Sequence, residues 1–206
     1  MVVGTISKHE KVLLVGDNPF HNVSHLSQDR ARLRDQELSN PEHAAELVRI
    51  SCDNGANGFM FSVSDTTLAI LKSLRNNGRI DDLALYPIVP YAYEYVQLAT
   101  QVGGIAGLAG VFSKRLAYSG NLGTIASGIN GVLRANPVSL LKTYLTYELG
   151  RIRSSAGKKA RMHSVILHEV VVDMALALGM DWFFRAHVDF SRKHGYVAGF
   201  NTCNFA

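Results

Sequence analysis

Short apolar runs alternate with helix-period segments along this chain, and that alternation constrains the fold more than any other feature. Val12-Leu13-Leu14-Val15 is a compact apolar run that ends at Gly16, as a buried strand does. Asn40-Pro41-Glu42 then opens a helix, with Asn as N-cap and Pro in the first turn. Ala44, Leu47, Val48 and Ile50 give that helix its apolar face, and Gly55 closes it. Gly58 to Val63 forms a second apolar run. Ser64-Asp65 caps another helix, in which Leu68, Leu71 and Leu74 recur until Gly78. Leu83 to Tyr91 is a third strand, with Pro87 and Pro90 near its end. Strand, helix, strand, helix, strand is the signature of parallel βαβ units.

The middle of the chain is less regular. Residues 92–162 hold ten of the eighteen glycines, and the last helix there is expected from about Pro137 to Gly150. Arg151, Arg153, Lys158, Lys159 and Arg161 follow as a basic run with no intervening acid. No aromatic is interleaved with them, so the run reads as a solvated loop at a helix C-terminus, where the dipole favours cations. Alternation resumes with Ser164 to His168 as a fourth strand. Val170 to Lys193 is helical with a break near Gly179-Met180-Asp181, and Tyr196 to Asn201 is a fifth strand. No Pro- or Ser-rich linker divides the chain, so residues 1–206 read as a single domain.

Composition narrows the class. Hydrophobic residues are 47% and charged residues 18%, which excludes intrinsic disorder. A net charge of +4 permits an anionic ligand but does not call for a nucleic acid, and none is expected. Cys52 and Cys203 form no Cys-x-x-Cys pair, in keeping with a reducing compartment. The N-terminus lacks the apolar stretch of a signal peptide. Val96 to Ser113 and Leu116 to Leu133 are free of charge, yet they carry too many polar and glycine residues for a membrane hairpin. A soluble cytoplasmic protein is expected.

Ligands of parallel α/β folds bind at the carboxyl ends of strands, so the residues there are the candidates. Strand one supplies Asp17, Asn18, His21 and His25; strand two supplies Ser62, Ser64 and Asp65. Strand three supplies Tyr91, Tyr93 and Glu94, strand four His168 and Glu169, and strand five Asn201, Thr202 and Asn204. His168 with Glu169 is the most informative pair: an imidazole at a strand mouth suits acid–base work, with a carboxylate to tune it. The competing reading is a histidine that satisfies a backbone group. Asp17 joins the catalytic set, and Asn18, His21, His25, Tyr91, Asn201 and Asn204 are assigned to substrate binding. His21 and His25, four apart, would share a metal only on a helix; the His-Glu-x-x-His signature is missing, so no metal ligands are assigned. Cys203 has no activating neighbour in sequence and reads as inert. Gly104, Gly107 and Gly110 lack the Gly-Lys-Ser/Thr of a phosphate loop.

Val165 to Phe205 resembles the middle of an aldo-keto reductase barrel. In that family a strand ending in Leu-x-His is followed by a helix and then by Gly-Lys-Val-Arg-x-x-Gly-x-Ser-Asn-Phe. The counterparts here are Leu167 to Glu169, His194 to Phe200, and Asn201-Thr202-Cys203-Asn204-Phe205. The helix running into Gly55-Ala56-Asn57-Gly58-Phe59 resembles the family's approach to its second strand. Gly16-Asp17-Asn18-Pro19-Phe20-His21 also looks like the start of a group of uncharacterised barrels with that general fold. Of the family's four catalytic residues the resemblance carries over only His168. Met60 stands where an Asp is expected, Asp65 falls near the Tyr position, and Leu85 to Pro90 offers no Lys.

The fold expected is therefore α/β: a parallel (β/α) TIM-barrel type, incomplete, with about five of its eight strands. The function the resemblance implies is a small-molecule enzyme, an oxidoreductase acting on a carbonyl or hydroxyl with non-standard catalytic residues. A metal-dependent hydrolase or lyase using His21, His25, His168 and Glu169 is the alternative, as is an inactive barrel fragment. No cofactor is assigned. A small-molecule substrate is the expected partner, with self-association through the open sheet edges.

Overall fold

The computed structural model describes residues 12–21, 40–81, 83–90 and 137–204. Strand β1 (Leu14–Gly16) leads into a single 3-10 turn (Asn18–His21), and helix α1 (Pro41–Asp53) precedes β2 (Gly58–Ser62). Helix α2 (Asp65–Asn76) and β3 (Ala84–Val89) follow, then α3 (Pro137–Ala156), β4 (Arg161–Met162) and β5 (Ser164–Leu167). Helices α4 (Glu169–Ala177) and α5 (Asp181–Lys193) lead to β6 (Val197–Phe200). The helix starts are set by their caps. Asn40 Oδ1 accepts the Glu42 N–H at 2.9 Å, and Ser64 Oγ accepts the Thr67 N–H at 3.1 Å. Gly179, at φ +63°, breaks α4 from α5 where a side chain would be strained.

All strand pairs are parallel, in the order β1-β2-β3-β5-β6, with the short β4 beside the start of β3. Each crossover moves the same way along the sheet, and right-handed crossovers then put the helices on one face. The core agrees. Register aligns Phe59 with Leu85 and Val89 with Leu167. These residues, with Phe61 and Val165, pack in one cluster with Val48, Ile70, Leu71, Leu145, Ile152 and Phe190 from the helices. On the opposite face Leu14, Met60, Ser62, Tyr86 and Ile166 are only half-buried. Gly58 lies among them because a Cβ there would come within 2.5 Å of Leu14 Cδ2 and 2.8 Å of the Tyr86 ring.

The α/β architecture with an all-parallel sheet is thus as expected. Closure into a barrel is not seen: β1 and β6 each have one neighbour, and the sheet stays open among the described residues. Several expected element boundaries shift, and one strand is added. The first strand begins at Leu14 rather than Val12, since Leu13 N–H is taken by the Asn57 side chain at 3.0 Å. Helix α3 runs beyond Gly150 to Ala156, so Arg151 and Arg153 are helical and not part of a loop. Arg161 and Met162 pair with β3 as an additional short strand. No helix among the described residues is long and apolar enough to cross a membrane; the two charge-free windows lie outside those residues.

One histidine belongs wholly to the core. His187 on α5 is fully buried, its Nε2–H donates to the Val165 carbonyl at 3.1 Å, and its Nδ1 has no hydrogen-bond partner among the described residues. Burial holds its pKa below the ordinary histidine value, an effect the Val165 and Gly199 carbonyls partly offset. On acidification the unfolded chain therefore takes up this proton before the native state does. Stability falls as pH drops from about 6.5 toward the lowered native pKa, by at most about 1.4 kcal/mol per pH unit from this group. Urea melts between those pH values should show that slope in the wild type. They should show less of it in His187→Gln, which keeps an N–H donor without a titrating ring; equal slopes would contradict the assignment.

Candidate functional site

The carboxyl ends of the strands carry two polar clusters, one on each side of β3. At the first, Asp17 follows β1 directly and is buried. Its Oδ2 accepts the Ser62 N–H at the end of β2 at 2.7 Å and lies 3.2 Å from His21 Nε2. The Phe20 N–H donates to the Asp17 carbonyl at 2.9 Å, which closes the turn that returns His21 to the strand end. His21 Nε2 also lies 3.1 Å from Thr67 Oγ1 and 3.4 Å from Ser64 Oγ, and the two hydroxyls are 2.9 Å apart. Ser64 and Thr67 are held there because they are the cap and third residue of α2.

This cluster contains an aspartate, a histidine and a serine, but not a nucleophilic relay. A relay uses one ring nitrogen for the carboxylate and the other for the hydroxyl. Here Asp17, Ser64 and Thr67 all meet His21 at Nε2. A nitrogen that donates to Asp17 does not at the same time accept the serine proton. The network instead ties β1, β2 and α2 together, with the Ser64 and Thr67 hydroxyls buried within it. Asp65, counted with this strand end, is turned outward and pairs with Arg151 at 2.8 Å.

At the second cluster, His168 closes β5 and caps α4. Its N–H donates to the Val89 carbonyl at 2.9 Å, and its Nδ1 accepts the Val170 N–H at 3.3 Å. Accepting at Nδ1 leaves the ring proton on Nε2, which makes no hydrogen bond among the described residues. Glu169, the first residue of α4, accepts from Asn201 Nδ2 at 2.6 Å. One turn on, Asp173 takes the Thr202 hydroxyl on Oδ1 and the Cys203 N–H at 3.2 Å on Oδ2. The loop after β6 is thereby folded over the start of α4, and the Asn204 N–H donates to Thr202 Oγ1 at 3.0 Å. His168 and the Ser64 end of β2 are two strand spacings apart, about 10 Å, which is room for a small molecule.

The structure thus brings His168, Glu169 and Asn201 together, and Asp17 with His21, as two separate groups on one rim. Asn18 lies in the turn after β1. His25 and Tyr91 lie outside the described residues. Among the described residues no three His, Cys, Asp or Glu side chains are placed to hold a metal. Cys52 and Cys203 are unbridged, and burial pushes the Cys52 thiol up. Thr67 and Asp173 were missed from sequence. Ser64-x-x-Thr67 is a helix-start spacing, and Asp173 sits four residues after Glu169 on one helix face; both signals were there to use. Comparison with family models, with curated proteins and with solved structures finds no match to this chain.

Proposed function

We propose that this rim is the active site of a small-molecule enzyme of the aldo-keto-reductase-like barrel type, acting on a carbonyl or hydroxyl substrate. The observation that carries the reading is the His168 imidazole: Nδ1 is engaged by the helix it caps, so Nε2–H points to chemistry as donor or acid. Glu169, fixed by Asn201 beside the end of β5, is suited to orient a polar substrate. Asp17 acts through His21 and the Ser62 backbone, as a positioning residue. Nicotinamide-dependent reduction by the family's own route is not expected, because Asp65 stands near the Tyr position and β3 carries no Lys, which leaves the proton-donating Tyr–Lys pair without counterparts.

The tautomer can be read directly. Long-range nitrogen–proton correlation spectra of neutral His168 should show Nε2 protonated and Nδ1 bare. A protonated Nδ1 in the neutral ring would remove the basis of the assignment.

A further inference from the structure

The β6 side of the molecule carries a second feature, which meets the strand-end rim at Thr202. Leu176 of α4, Phe184 and Val188 of α5, and Phe200 of β6 line an apolar groove of about 590 Å³ on the helix side of the sheet. Leu176 is 48% exposed and Phe200 42%, although register places Phe200 beside the buried Leu167, on the face that elsewhere forms the core. Apolar surface gathered in this way marks an interaction site. The adjacent edge of β6 has no neighbour among the described residues, so its outward backbone groups are a template for pairing.

Two charged residues border the groove, Arg185 and Asp189, of opposite sign and one helical turn apart on α5. Both are exposed, and neither makes an ion pair within the chain among the described residues. In a two-fold interface the same patch meets itself, so residue i touches residue j and residue j touches residue i. A second α5 packed antiparallel on the first brings each Arg185 to the partner's Asp189, with Val188 near the axis. The charge pattern is therefore self-complementary, and the apolar groove is closed by its own copy.

We propose that the groove beside β6 is the contact surface of a symmetric homodimer, with α5 against α5 and the two β6 edges side by side beneath them. Sedimentation equilibrium of the full chain from about 1 to about 100 μM should show reversible dimers. Arg185→Asp and Asp189→Arg should each weaken association at least about tenfold, by setting like charges against each other. The double exchange R185D/D189R should restore it, because the pairing is the same with signs reversed. Exposed positions tolerate these changes without loss of the fold, which thermal melts of each variant verify. A monomer across the whole range would overturn the proposal. So would a dimer that both single variants leave intact, or single losses that the double exchange fails to repair.

Discussion

Replacing His168 with asparagine is expected to lower turnover by about 10²–10⁴-fold while leaving the fold intact. Asparagine is a favoured N-cap whose carbonyl oxygen accepts the Val170 N–H as His168 Nδ1 does, so the start of α4 is preserved. What asparagine lacks is a ring nitrogen that can pass a proton to the substrate or take one from it. His168→Ala should lose the same activity and, in addition, about 1 kcal/mol of stability with the cap. The substrate is found by screening small carbonyl and hydroxyl compounds, and kcat and KM are then measured for wild type and both variants. A fall in kcat with little change in KM assigns His168 to the transition state. Full activity in His168→Asn would reduce the residue to a helix cap.

Asp17 is expected to have its largest effect on stability. Its removal in Asp17→Ala leaves the half-buried Ser62 N–H without its acceptor and takes one of the hydrogen-bond partners of His21, a loss of about 3 kcal/mol by the usual worth of hydrogen bonds to a buried charged acceptor. Asp17→Asn keeps an acceptor for the Ser62 N–H and should cost clearly less. Urea denaturation with an unchanged m-value measures both. Should Asp17→Ala prove as stable as wild type yet inactive, Asp17 would be a catalytic group and not a strut.

That difference shows where sequence reading stops. Position alone made Asp17 a reactive candidate, because it follows a strand directly. The decisive contact, the Ser62 N–H, lies 45 residues away, and no local pattern encodes it. Local signals fared well. Asn40, Ser64 and Gly179 marked helix boundaries because caps and positive φ are properties of a few adjacent residues. The basic run was misread because charge was weighed before period. Ile152 and Ala156 are buried four residues apart, so Arg151 and Arg153 are the outer face of α3, held by Asp65, Glu148 and the Tyr196 hydroxyl. Nothing in the sequence marks His187 as buried, since burial depends on which helix face meets the sheet. His168 was legible as a candidate, but its tautomer was not: that depends on the backbone N–H of Val170, two residues on.

Substrate is expected to bind at the carboxyl-end rim and at no other face. Amide chemical-shift mapping of the isotopically labelled chain against a library of small carbonyl and hydroxyl compounds locates that binding. Shifts are expected to concentrate at Ser62 to Thr67, at His168 to Val170 and at Asn201 to Asn204. Shifts confined to the opposite ends of the strands, around Arg161 to His163 and Arg192 to Gly195, would contradict this.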